Sequence, residues 1–550
     1  MLRRRVMALL ALVLVAVVLR WPSTRITVLN EDEALYAAAA ATMMETGAPP
    51  YVAGVESKPP GIFYLYRAAF ALVGRYQLRA VHALTIGWVL LTALLVAGMA
   101  RRVGPARAGW WAAFFYLVFT TVQQPKVLAS QCELLYALPL AGAGWLLVEA
   151  LAREGWGAWG RALAAGVLCG AATLIKPTAV SLPAAALAVL AVGRPLWLGR
   201  RVLLPGLRLA AALGAGFAAM WGAAALYFVH LGVWDDLVYW SFRWTLGNYI
   251  PTGFATSRFL VRFAASFVPW AGLCSVLWVC AAAEVRALLG ERRERQERGA
   301  LLLLAWGGFA LGMVGLGGRF YDHYFPQAVT PLAALAGLGA ARLLEAQAGR
   351  VRWLLAGAAA PGVLCLVGAL HFDATQRLFG DGSSSEPPAA LSQWLAGHTR
   401  PQDRIFVWGY YPLIYVGADR IPASRFVGCH YLTGYAALGL SRRLPPELEA
   451  RLEVPGGFAT LIEELERHRA EVVVDTAPAD FHGWSRYPLS RYPALAAYLA
   501  AHYRREAVVE GAVIYRREDS RAGFGDRGAP PAGHEPIGDE EERGRQVHAR

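Results

Sequence analysis

The sequence predicts a mainly α, polytopic membrane protein with a small C-terminal α/β domain outside the cytoplasm. Three observations predict it. Apolar residues make up 56% of the 550 and charged residues only 17%, too little charge to cover a soluble body of this size. Apolar stretches of about 20 residues, the length that crosses a ~30 Å hydrocarbon core, recur through the first two thirds of the chain. Beyond them, short apolar strand patterns alternate with amphipathic helix patterns.

The first stretch, MLRRRVMALLALVLVAVVLRW, has the basic start and apolar middle of a signal peptide. No small-x-small cleavage site follows, and Arg20-Trp21-Pro22 reads as an interfacial end, so the expectation is an uncleaved span at about 6–20. A long outer loop, 21–79, comes next. Further spans are expected at about 80–100, 108–124, 133–151, 162–175, 178–193, 209–230, 263–284, 299–316, 326–343 and 353–371, about eleven in all by the length rule. The pair at 162–193 is short enough to be re-entrant instead. A second outer loop falls at 231–262. With Arg3-Arg4-Arg5 inside, every other Arg-rich cluster (101–107, 194–201, 286–295 and 350–352) falls on the same side. The positive-inside rule then sets a cytoplasmic N-terminus in the inner (plasma) membrane. The same clusters account for the net charge of +13. They punctuate spans and do not build one basic face, so the partners expected are membrane lipids and no nucleic acid.

The membrane domain is expected to occupy 1–371. A Gly/Ser/Pro-rich linker, FDATQRLFGDGSSSEPP, opens the extracytoplasmic domain, 372–517. Its strand patterns are Arg404–Gly409, Glu471–Asp475 and Val508–Arg516, and its helical patterns are Leu461–Arg469 and Leu495–His502. A tail, 518–550, has almost no large apolar residues and is expected to be disordered. The six cysteines lie mostly in or beside spans and include no CxxC, so neither a metal cage nor a disulfide framework is expected.

The polar chemistry concentrates at span mouths. In NEDEALYAAAAATMMETGAPPYVAGVESKPPGIFYLY, Asn30–Tyr66, adjacent carboxylates Asp32 and Glu33 follow the first span. Asp32, Tyr36, Ala40 and Met43-Met44 share one helix face. Two readings are equally open: the acids cap a helix lying on the membrane, favoured by its macrodipole, or burial tunes a carboxylate to accept a proton. Lys58, held extended by two prolines, suits a lipid phosphate at headgroup depth or a snorkelling role. Glu133 sits at the mouth of the 133–151 span. Lys126 and Lys176 are further mouth cations, and Lys176-Pro177 reads first as an anchor. In GGRFYDHYFPQAVTP, Arg319 and His323 suit charge-assisted hydrogen bonds to a phosphate, beside Asp322 and Tyr324. The aromatic stretch 234–254 reads as an interfacial belt.

Together these residues resemble the multi-spanning glycosyltransferases of the C-type fold, and among them the bacterial relatives of protein O-mannosyltransferases and of the aminoarabinose transferases that modify lipid A. The carriers are Asp32-Glu33, Tyr36 and the Ala run, Gly47 and Tyr51, Lys58–Gly61 with Phe63-Tyr64, and Arg319…His323-Tyr324, with Glu133 and Lys176-Pro177 at further recurrent positions. The resemblance covers roughly residues 1–345. It implies a polyprenyl-phosphate sugar donor and inverting transfer on the outer face to an envelope glycan, lipid or protein. It also implies Asp32 as general base and Lys58, Arg319 and His323 around the departing phosphate. The C-terminal domain departs from the repeat domain of the eukaryotic mannosyltransferases, which puts a protein acceptor in doubt. No cofactor is assigned. A divalent cation at Asp32/Glu33 stays open, although no third or fourth oxygen ligand is evident. Two other readings compete: a lipid or polysaccharide transporter, which would carry its ionisable groups mid-span, and a membrane-anchored envelope assembly or binding protein working through its C-terminal domain.

Overall fold

The structure, a computed structural model, describes residues 2–123, 126–192, 203–254, 258–290, 294–345, 349–370, 386–435 and 446–519. The expected tail beyond Asp519 and most of the expected linker lie outside them.

The first helix is α1 (Leu2–Arg20). Two helices, α2 (Glu31–Thr46) and α3 (Gly61–Val73), lie inside the first long loop. Then follow α4 (Leu78–Val103), α5 (Ala106–Phe119), α6 (Cys132–Leu151), α7 (Trp156–Thr173), α8 (Ser181–Val192), α9 (Leu203–His230), α10 (Trp234–Val238), α11 (Ile250–Phe254), α12 (Phe259–Leu273), α13 (Ser275–Gly290), α14 (Glu294–Val314), α15 (Pro326–Glu345) and α16 (Gly349–Leu370). The chain is a multi-pass membrane protein. Every expected span falls on a helix. Among the described residues five helices, in α1, α4, α6, α9 and α15, are long and apolar enough on their own to cross a bilayer, and α12 with α13 makes a sixth if counted as one broken span. The others are shorter or less apolar. The expected straight span at 263–284 is this broken pair, bent by 82°, with Pro269 inside α12 withholding a backbone donor.

Small residues let the helices touch backbone to backbone, as membrane bundles require. A Cβ on Gly166 of α7 would lie 2.1 Å from the Leu213 carbonyl oxygen of α9, and one on Gly216 would lie 2.0 Å from that of Leu163. The end of the bundle carrying the basic clusters is tied by ion pairs: Arg102 and Arg153 reach Glu149 at 2.8 and 2.9 Å, and Arg342 reaches Glu284 at 2.5 Å.

The C-terminal domain holds a four-stranded sheet: β1 (Ile405–Trp408), β2 (Val472–Asp475), β3 (Tyr503–Val509) and β4 (Ala512–Arg517), in the order β1-β2-β4-β3. β1 and β2 run parallel, in the register Ile405 to Val472, and β4 pairs antiparallel with both β2 and β3. The stretch expected as one strand, Val508–Arg516, is a hairpin that turns at Glu510 and Gly511, both at positive φ (50° and 80°). The domain is docked on the first long loop. The Val55 N–H donates to the Arg425 carbonyl at 2.8 Å, Arg75 pairs with Asp419 at 2.8 Å, and the Tyr76 hydroxyl donates to the Arg420 carbonyl at 3.0 Å. That docking places the domain over the residues that carry the chemistry.

Candidate active site

The Asn30 side chain caps α2, accepting from the Asp32 N–H at 2.9 Å, and Gly47 closes it in the left-handed conformation. Three acids, Glu31, Asp32 and Glu33, fill its first turn. Successive helical residues diverge by ~100°, so the two adjacent carboxylates part company. Glu33 is fully buried. One of its oxygens takes the Ser130 N–H and faces His82 Nε2 at 3.0 Å, and the other takes the Leu29 N–H at 3.0 Å. Asp32 faces the opposite way, half-buried, and among the described residues its carboxylate accepts no hydrogen bond. Burial raises it to about 6; Lys58 and Lys176 pull against that rise, while Glu56 and Glu31 add to it.

Lys58 acts on this carboxylate through its charge, held in place by a tightly built turn. Tyr51, at φ +70°, donates its hydroxyl to the Lys58 carbonyl at 2.9 Å. Gly61 donates its N–H to the Leu174 carbonyl at 2.8 Å, and a Cβ there would lie 2.7 Å from that oxygen. The glycine after Lys-Pro-Pro therefore brings the turn against the end of α7, beside Lys176. Lys58 Nζ lies 3.2 Å from Glu56. Burial would raise Glu56, but Lys58, His430 and Ser57 outweigh it and hold the carboxyl at about 2. Burial likewise works against the Lys58 charge, and Glu56 with Asp32 overcomes it, so the ammonium stays charged.

The remaining cations join through aromatic rings. Lys176 pairs with Glu133, and its Nζ lies 3.9 Å from the centre of the Tyr324 ring. The Tyr324 and Tyr249 hydroxyls are 3.2 Å apart, and the Arg319 guanidinium lies 4.1 Å from the Tyr249 ring centre. Such contacts hold a desolvated cation without discharging it. His323 stands between Tyr321 and Tyr324, with ring centres 5.6 and 4.9 Å away. Burial, together with Lys176, Lys58 and Lys126, lowers its pKa, so it offers a neutral imidazole. Among the described residues no three His, Cys, Asp or Glu side chains gather as a metal centre would need.

Residues 57–221 match the family model described as dolichyl-phosphate-mannose-protein mannosyltransferase. The chain is similar in structure to ArnT from Cupriavidus metallidurans bound to undecaprenyl phosphate, at 17% identity and TM-score 0.57 over 92% of this chain and 97% of that one. The apo form of that protein gives 17% and 0.53 over the same shares. The chain has the C-type glycosyltransferase fold. An oligosaccharyltransferase of Archaeoglobus fulgidus tethered with an acceptor peptide is also similar, at 13% identity and TM-score 0.50, over 93% of this chain and 74% of that one. No curated protein sequence matches the chain.

Within this C-type fold the structure gathers Asp32, Lys58, Glu133, Lys176, Arg319, His323 and Tyr324 at one end of the bundle. It turns Glu33 away and buries Tyr36 completely, against Phe63, Tyr66 and, at 3.6 Å, Cys132. Within the stretch expected as an aromatic belt, Trp240 and Trp244 are buried as an inner wall, while Trp234, Leu246 and Phe254 stay exposed. Residues 239–249 form a π-helix, a form that recurs at functional sites. It carries Ser241 to the Tyr51 hydroxyl at 2.9 Å and Trp240 and Trp244 to Tyr431, with ring centres 4.9 and 4.8 Å away. Sequence reasoning missed Glu56, Tyr249 and Tyr431. An acid two residues before Lys58 was a visible signal for the first; the other two depend on contacts far along the chain.

Proposed function

We propose that this protein is a glycosyltransferase that moves a sugar from a polyprenyl-phosphate donor to a cell-envelope acceptor on the outer face of the membrane, with inversion. The observation that carries the reading is an uncommitted carboxylate, Asp32, set beside the cations Lys58 and Lys176. In this reading Lys58 and Arg319 hold the donor phosphate, with Tyr249 and Tyr324 around it. His323 supplies a neutral N–H, and Lys176, already paired with Glu133, adds positive potential. Asp32 takes the proton of the acceptor hydroxyl or amine as its heteroatom attacks the anomeric carbon. The bond from that carbon to the phosphate oxygen breaks, the lipid phosphate leaves with the bonding pair, and one displacement inverts the centre. A base near the working pH is worth ~10²–10⁴ in rate, and one preorganised donor on the developing charge ~10²–10³. The likeness to a protein bound to undecaprenyl phosphate and the name of the matching family support a lipid-phosphate donor. The positive-inside rule applied to the Arg-rich clusters supports placing the site outside the cytoplasm.

The test is transfer of labelled sugar from a panel of undecaprenyl-phosphate sugars in membranes, with Asp32→Asn beside the wild type. Transfer is expected to disappear in the variant while its abundance holds. Full activity in the variant would remove Asp32 as base, and no transfer by the wild type from any donor would remove the enzyme reading.

A further inference from the structure

The C-terminal domain points the working edge of its sheet at Asp32. Open α/β sheets bind ligands beyond the carboxyl ends of parallel strands, and here β1 ends at Trp408, leading through Gly409 into Tyr410. The Cys429 N–H donates to the Gly409 carbonyl at 2.9 Å, which brings His430 against Tyr410, with ring centres 4.8 Å apart. The loop after β2 adds His482, held at φ +55° between two further left-handed residues, with Nε2 3.6 Å from Glu31. Tyr431 closes the inner side: its hydroxyl takes the Ser57 N–H at 2.8 Å and reaches Glu56 at 3.2 Å.

Two of these groups are left over. Tyr410 is half-buried and lies within electrostatic reach of Asp32, Glu56 and Glu31, yet among the described residues its hydroxyl makes no hydrogen bond. His430 is half-buried beside it; burial and Lys58 hold its ring neutral, at about 4, against the pull of Glu56. The half-buried phenol, within electrostatic reach of Asp32, and the neutral imidazole, whose ring also packs on Tyr431 with centres 3.9 Å apart, form a polar, aromatic wall.

We infer that Tyr410 and His430 form the acceptor subsite and that the acceptor it takes is an uncharged carbohydrate hydroxyl. This rests on the transferase reading above. Tyrosine and histidine rings offer apolar faces to a pyranose and polar edges to its hydroxyls. Glu31, Asp32 and Glu56 on the opposite side disfavour an acceptor that presents a phosphate or carboxylate there.

The experiment uses full-length protein in nanodiscs. Its first arm is binding to a microarray carrying both bacterial envelope glycans and peptides, which needs no turnover. Wild type and Asp32→Asn should bind the same glycans, and Tyr410→Phe, which loses only the hydroxyl, should bind them several-fold more weakly. Tyr410→Ala and His430→Ala should bind them at least tenfold more weakly, with thermal unfolding unchanged. Its second arm is affinity for undecaprenyl phosphate alone, which should stay within twofold in all four variants. Binding to peptides and not glycans, undiminished glycan binding by the two alanine variants, or an equal loss of undecaprenyl-phosphate affinity would each overturn the inference. Failure of sugar transfer by the wild type would strike the transferase reading and leave the glycan-binding result standing by itself.

Discussion

A carboxylate held in an unfavourable environment is costly to the fold, and that cost can be measured at Asp32. A carboxyl moved from 3.8 to about 6 by burial destabilises the folded state at neutral pH by on the order of 3 kcal/mol, at 1.36 kcal/mol per pH unit. The sign follows from linkage. The folded state binds the proton more tightly than the unfolded state, so the penalty is absent below about pH 4, grows as the pH rises, and is complete above about pH 6. Asp32→Asn removes the charge and keeps the shape. It strands no donor, because the carboxylate accepts no hydrogen bond among the described residues, and the cap from Asn30 runs through the Asp32 backbone. It gives up one favourable acid in the first turn of α2, worth ~0.3–1 kcal/mol. The variant should therefore be more stable than the wild type by ~2 kcal/mol at pH 7.5, and the two should converge by pH 4. Thermal unfolding in nanodiscs across that range reads it directly. A variant that is equally stable or less stable at pH 7.5 would refute the claim that Asp32 is a strained, uncommitted carboxylate.

The other predictions test the neighbours. Lys58→Ala and Arg319→Ala should each cut kcat/KM for the lipid-phosphate donor by ~10²–10³ while acceptor KM moves little; an unchanged donor KM and kcat would count against their phosphate role. Glu33→Ala strands the Leu29 and Ser130 N–H groups and His82 in a buried place, so it should lower stability by ~3–5 kcal/mol, read as lost abundance and a lower Tm. Glu56→Gln removes an anion that raises Asp32 and frees Lys58 to act on it, so the acid limb of the rate profile should move below pH 6; a limb that stays or rises would oppose the assignment.

What the sequence made legible was local. Each expected span lies on a helix because apolar length is a property of the segment itself. Asn30 and the acids behind it announce the start of α2, and Lys58-Pro59-Pro60 announces a stiff turn. What stayed hidden depends on partners far along the chain. Whether Asp32 or Glu33 faces the site is decided by one helical step and by Ser130 and His82, which claim Glu33. Glu56 gains its meaning from Lys58 and from Tyr431, 375 residues later. The belt reading of 234–254 did not separate Trp240 and Trp244, buried against Tyr431, from the exposed Trp234 and Phe254, because aromatic residues suit an interface and a buried wall equally. The hairpin at 503–517 was missed because Glu510-Gly511 lacks the Asn-Gly or Asp-Gly pair that marks such turns.

In the proposed mechanism the arrangement of acids leaves Asp32 able to take a proton. A lone carboxylate among lysines would be drawn into an ion pair and lose its basicity. Here the pairing is taken up by others: Glu56 with Lys58 and Glu133 with Lys176. Those cations stay close, ready for a phosphate, while Asp32 feels them only at longer range. Burial can then raise its affinity for a proton without making it a permanent acid. Removing either paired acid should weaken proton transfer even though neither touches the proton, because each keeps a lysine from claiming Asp32.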